Sequence, residues 1–202
     1  MQKKIAQFIS IVLHPLLMPA FGFFIIFNSG AYLNYFPLEL KKIIYIIVII
    51  NTFVLPLSFI QFFVYQKVIN NIQLDSNRQR VIPLIITTLL YYFSYYLLGK
   101  LQSPQIIQLF MLASTILVFL TFLISLKWKI SAHMVGIGGL IGMIMALSFR
   151  LMINLQAYLM ISIFVAGLLG YARLRLNAHG PIQVYSGLGI GVILVLLIII
   201  KI

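Results

Sequence analysis

Two of the chain's three histidines, His133 and His179, stand where apolar runs begin, each close to fixed positive charge. His133 closes the stretch Lys127-Trp128-Lys129-Ile130-Ser131-Ala132-His133. His179 follows Arg173 by six residues, just before Gly180-Pro181 and the last apolar run. A helix start exposes unpaired backbone N–H groups and the positive end of the helix dipole, so two such starts beside Arg and Lys can hold an oxyanion. An imidazole in that position can attack the anion's phosphorus or pass a proton to it. Gln183 lies four residues beyond His179, about one helical turn away, so its amide can hydrogen-bond the ring. The usual partner of a working histidine is a carboxylate, which also stabilises imidazolium; here the partner is neutral.

The elements that must position these groups are read from composition. Of 202 residues, 63% are hydrophobic and 8% charged, with mean hydropathy +1.14. A soluble core cannot hide that much apolar surface. The fold expected is therefore all-α, a polytopic transmembrane helical bundle forming one integral membrane domain over residues 1–202. Apolar stretches of about 17 to 24 residues suit helices crossing roughly 30 Å of hydrocarbon, not the alternating strands of a barrel. Polar breaks give seven candidate spans, near 8–27, 43–64, 83–98, 105–126, 132–149, 154–170 and 181–200. The third is short and the first holds Pro15 and Pro19, so either could be kinked or re-entrant and the count is six or seven. The stretch after Met1-Gln2-Lys3-Lys4 lacks a small-residue cleavage pattern and is expected to stay as the first span. If all seven cross, one side of the membrane collects the N-terminus and residues 65–82, 127–131 and 171–180. That side gathers Arg78, Arg80, Lys127, Lys129, Ser131, His133, Arg173 and His179, with Lys67, Arg175 and one acid, Asp75.

These residues resemble the type 2 phosphatidic acid phosphatase family, membrane lipid phosphatases whose three motifs run Lys-x6-Arg-Pro, Pro-Ser-Gly-His and Ser-Arg-x5-His-x3-Asp. Ala172-Arg173, His179 and Gln183 keep the Arg-x5-His-x3 spacing of the third motif, with Ala for Ser and Gln for Asp. Ile130-Ser131-Ala132-His133 keeps the Ser and His of the second. The first is degenerate, because Lys67 lies too far upstream and two residues separate Arg80 from Pro83. The resemblance is to a divergent member and covers a phosphatase-like core over roughly residues 65–191. It implies a membrane-embedded enzyme hydrolysing a lipid phosphomonoester or pyrophosphate, in which His179 attacks phosphorus to give a phosphohistidine and His133 protonates the leaving oxygen. Gln183 would orient His179, while Arg173, Arg80, Arg78 and the Ser131 hydroxyl would hold the phosphoryl oxygens. No metal or other cofactor enters that scheme. The resemblance places the site on an outer, periplasmic or lumenal face, and the expected location is a bacterial inner membrane.

Other features carry plainer readings. Fourteen Lys and Arg against Glu39 and Asp75 give a net charge of +12, which points to anionic headgroups of the bilayer as partners. No basic and aromatic stripe is long enough for nucleic acid. With no cysteine and no Cys/His cluster, a metal site is not expected. Gly136, Gly138, Gly139 and Gly142, and later Gly187, Gly189 and Gly191, have the small-xxx-small spacing that lets helices approach closely, within the chain or in a homo-oligomer. His14 is expected to bond a backbone carbonyl freed by Pro15 and is left out of the site. Arg78 and Arg80 read equally well as loop charges, Lys127-Trp128-Lys129 as an interfacial anchor, and the tyrosines at 91–92 and 95–96 as an interfacial belt. Two functional classes stay open at Gln183. One is a phosphatase, slow without the acid or helped by Asp75; the other is a non-catalytic protein that binds or transports lipid phosphates.

Overall fold

The computed structural model describes residues 2–30, 32–67 and 77–201. Among these residues seven helical segments are long and apolar enough to cross a membrane, and no strand forms. The chain is an integral multi-pass membrane protein with an all-α bundle fold, and among the described residues seven segments have the length and composition of a crossing.

The first crossing is broken. Helix α1 (Gln2–Val12) stops before His14, whose backbone is extended at φ −64° and ψ 136°, and a short 3₁₀ turn over Pro15–Leu17 leads into α2 (Met18–Asn28). Pro15 has no N–H to continue α1's ladder, which is the physical cause of the break. The second crossing pairs α3 (Leu38–Ile49) with α4 (Leu55–Tyr65) through a π turn at Ile50–Val54, a feature the sequence reading did not anticipate. Pro56 removes one ladder donor just beyond it, and the wider turn leaves the Leu55 N–H bonded to the Ile50 carbonyl.

Helix α5 (Asn77–Lys100) begins six residues before the expected third span, so this crossing is full length despite Pro83 within it. Helices α6 (Gln105–Ser125), α7 (Ala132–Leu151), α8 (Gln156–Arg175) and α9 (Pro181–Lys201) complete the bundle. Two expectations are corrected by these boundaries. Arg78 and Arg80 lie in the first turn of a helix, and Arg173 and Arg175 in the last turn of another, where loops were expected.

The most extensive helix pair is α7 with α9, and glycine makes it possible. A Cβ added at Gly138 or Gly142 would lie 2.4 Å from the carbonyl oxygens of Leu188 or Val192, and one at Gly191 would lie 2.3 Å from that of Val135. Between apolar helices in lipid there is no hydrophobic gain from association, so this backbone-to-backbone approach supplies the attraction through dispersion. The glycine faces read from the sequence as packing surfaces are thus used inside one chain, at Gly138, Gly142, Gly187 and Gly191. Helix α6 packs on α5, and α1 lies against α8, its Ala6 fully buried there.

Candidate functional site

A cavity of about 820 Å³ opens where the starts of α1, α5 and α7 meet the ends of α6 and α8 and the turn at 176–179. Its mouth is lined by Lys3, Arg80, Lys129, Arg173, His133 and His179, and its interior by Met18, Leu57, Tyr91, Phe110, Leu117 and Leu140. The wall formed by α6 runs from Ser125 to Phe110, which at 1.5 Å per residue is about 22 Å of depth. Such a volume and a polar-to-apolar gradient suit a molecule with an anionic head and a hydrocarbon tail. Tyr91 is 2% exposed in this interior, which corrects its reading as part of an interfacial belt.

His179 is placed by the reversal between α8 and α9. Asn177 takes the left-handed conformation, φ 52°, while the Ala178 N–H donates to the Arg173 carbonyl and the Asn177 N–H to that of Leu174. This closing motif turns the chain sharply, and Pro181 then starts α9 at the position where its missing N–H costs nothing. The Nδ1 of His179 lies 3.2 Å from the Lys129 carbonyl and 3.2 Å from Gln183 Oε1. That amide oxygen also accepts the Gly180 N–H at 3.1 Å. Both neighbours of Nδ1 are acceptors, so Nδ1 carries the proton and Nε2 keeps its lone pair. The pairing of His179 with Gln183 that the spacing suggested is therefore present. Burial, and after it the charges of Arg80 and Arg173, push the His179 pKa down to about 4, against the opposing pull of its two hydrogen bonds. The ring is neutral at pH 7 and its Nε2 is a competent nucleophile.

His133 and His14 meet in the same cavity. Where α1 ends, the Ser10 carbonyl has lost its helical donor, and the Nε2–H of His133 donates to it at 3.1 Å. A carbonyl only accepts, so the neutral ring of His133 is protonated at Nε2 and Nδ1 is left for proton transfer. His14 is expected to bond a carbonyl freed by Pro15, which would be that of Ile11; the observed bond is instead from His133, on another helix, to the adjacent Ser10 carbonyl. His14 instead uses Nδ1 to accept the Leu16 N–H at 3.4 Å, capping the 3₁₀ turn, and its ring stands edge-on to that of His133 with centroids 5.6 Å apart. All three histidines of the chain line one cavity, and His14 is the one the sequence reading left out.

Arg80 is 8% exposed and donates to the Ile130 carbonyl at 2.9 Å, so it is a buried wall of the cavity and not a loop charge. Arg173 reaches the cavity with a buried Nε that has no hydrogen-bond partner. Ser131 is placed differently from expectation. It occupies the N-cap position of α7, is fully buried, and its hydroxyl neither caps the helix nor lines the cavity. Its backbone N–H donates to the Gln183 carbonyl at 3.3 Å, which draws the starts of α7 and α9 together. The residue thus serves the site through its main chain. Arg175 points to the neighbouring helix, donating to Gln2, and Lys67 is an exposed residue at the end of α4. Arg78 is placed as part of α5's first turn, its side chain outside the described residues, and Asp75 lies outside them altogether. Among the described residues no cluster of His, Cys, Asp or Glu has the makings of a metal site.

No family model, curated protein or solved structure matches the chain.

Proposed function

We propose that this protein is a membrane-embedded lipid phosphatase that hydrolyses a lipid phosphomonoester or pyrophosphate through a phosphohistidine on His179. The observation that carries the reading is the held tautomer of His179. Two acceptors fix the proton on Nδ1, and the opposite nitrogen is free to attack beside two arginines. The amphipathic cavity supports a lipid substrate, its head at the mouth and its tail among Tyr91, Phe110 and Leu117.

In this mechanism Nε2 of His179 forms a bond to phosphorus as the bond from phosphorus to the leaving oxygen breaks. Arg80 and Arg173 balance the charge on the phosphoryl oxygens. The Nδ1 of the neutral His133 takes the proton of the substrate's phosphate monoanion and passes it to the leaving oxygen. Water then attacks the phosphohistidine as the bond from phosphorus to His179 breaks, and the water's proton passes through His133 Nδ1 to the released phosphate, leaving both histidines neutral. The site belongs, on this reading, to the outer face of a bacterial inner membrane, as in the phosphatase family that the motifs resemble.

A second reading is a protein that binds lipid phosphates without hydrolysing them. The neutral Gln183 favours it, because an amide orients the ring but does not stabilise imidazolium as a carboxylate does. The test is phosphate release from a panel of lipid monophosphates and pyrophosphates by detergent-purified protein in chelator, beside His179→Ala. Release that disappears in the variant supports the phosphatase. Folded protein with no release, but with lipid-phosphate affinity that falls in Arg173→Ala, supports the binder.

A further inference from the structure

The resemblance on which the functional reading rests covers roughly residues 65–191, so it assigns nothing to the first crossing. Yet that crossing supplies a substantial part of the cavity wall, including Ser10, His14, Pro15 and Met18. His14 stands where this wall changes from polar to apolar. Ser10 precedes it in the cavity wall, Met18 and Pro19 follow it further along the crossing, and the His133 ring stands against it. Its Nδ1 is committed to the Leu16 N–H, so its proton sits on Nε2, and no described group accepts that proton. Two further polar groups of the same cavity are fully enclosed without a partner, the Ser10 hydroxyl and the Arg173 Nε, and the Ser125 hydroxyl makes a third. Buried donors left unpaired are costly in a bundle interior, and donors drawn from α1, α6, α8 and the His14 turn converge here.

We infer that His14 is a substrate-contacting residue, donating its Nε2–H to the oxygen that joins the phosphoryl head to the lipid tail, or to the second phosphoryl group of a pyrophosphate. The inference rests on the lipid-phosphate reading of the cavity and extends it to the first crossing. With phosphorus at His179, the leaving oxygen is directed toward His133, and His14 is the next donor inward. The break at Pro15 is what allows this, because it turns the His14 ring out of the α1 register and fixes it with a cap of its own.

Capping and contact are separable by substitution. Asn at position 14 keeps an acceptor for the Leu16 N–H but cannot reach where Nε2–H reaches, whereas Ala removes both. The experiment compares kcat and KM for lipid monophosphate and pyrophosphate in wild type, His14→Asn and His14→Ala, with melting temperature as the check on folding. A tenfold or greater loss of kcat/KM in both variants, at a wild-type melting temperature for His14→Asn, upholds the contact. Wild-type kinetics in His14→Asn overturns it and leaves His14 as a cap.

A second readout stands apart from turnover. The chain has three histidines, so their ring resonances can be assigned one by one by substitution in labelled protein. Titration with orthovanadate and with a short-chain lipid phosphate should move the His14 ring signal along with those of His133 and His179. If wild type releases no phosphate, the phosphatase reading fails while a ligand-dependent His14 shift still upholds the contact. A His14 signal indifferent to both probes overturns it.

Discussion

The α7–α9 seam and the broken first crossing border the same cavity and are built on opposite principles. In the seam, side chains are absent where the helices touch, and backbone meets backbone at Gly138, Gly142 and Gly191. In the first crossing, the backbone itself is interrupted at His14-Pro15, and side chains such as Phe8 and Phe24, 66% and 53% exposed, face outward from the bundle. The seam fixes the start of α7, and so His133, relative to the start of α9, which carries Gln183 and follows directly on His179. The first crossing contributes a freed carbonyl and a third ring. One region gains order by removing atoms and the other by ending a hydrogen-bond ladder.

The contrast breaks most severely at the seam. Gly191→Ala puts a methyl 2.3 Å from the Val135 carbonyl oxygen, and backbone on both sides cannot step aside. A loss of about 3 kcal/mol or more is expected, read as a large drop in melting temperature and a loss of folded yield in detergent. Gln183→Leu is the next largest. It leaves the Gly180 N–H without its side-chain acceptor and His179 with the Lys129 carbonyl alone, so a loss of about 1–2 kcal/mol in stability and a fall in phosphate release are expected. Gln183→Asp should hold or raise turnover; equal rates in all three forms would remove Gln183 as the orienting group.

Pro15→Ala probes the other region. It returns an N–H to the chain, lets α1 extend, and sets the His14 N–H in competition with His133 for the Ser10 carbonyl. A several-fold decrease in turnover with little change in melting temperature is expected, and unchanged kinetics would show that the break does not position His133.

A smaller effect follows from His179 and acid. Its folded pKa of about 4 lies below the ordinary 6.5, so the unfolded chain binds the extra proton first. Stability from this group is complete above pH 6.5 and is lost as pH falls toward 4. Melting temperature should decline across that window, and the decline should be shallower in His179→Gln. Gly189→Ala completes the series at the smallest magnitude. A Cβ there meets nothing within 4 Å, so loss of backbone freedom in the unfolded chain should stabilise by about 0.5–1 kcal/mol. A destabilisation would mean that α9 has a close neighbour on this face.

The sequence made the crossings legible because hydropathy is a local property, and apolar runs end near where the helices end. It also marked the glycines as packing sites, though not that α7 and α9 are partners. Three site assignments depended on contacts distant in the chain and were out of reach. Arg80 reads equally as a phosphate ligand and as a loop charge until the Ile130 carbonyl, fifty residues on, is seen to accept from it. His14 reads as a local proline partner until the His133 ring arrives from α7 to stand edge-on to it and bond the Ser10 carbonyl. Ser131 reads as a hydroxyl donor, and the closeness of the helix starts makes its main chain the useful part. The His179–Gln183 pair was legible because helical spacing alone brings the two together.

Gln183 gives its backbone carbonyl to Ser131 and its side-chain oxygen to both Gly180 and His179. Replacing the side chain removes the two bonds of its oxygen together and leaves the main-chain bond to Ser131 in place. A substitution that costs stability here lowers the amount of inserted protein as well as its turnover, so a loss of activity seen in living cells mixes the two. Comparisons of variants at this position are meaningful only per molecule of inserted protein.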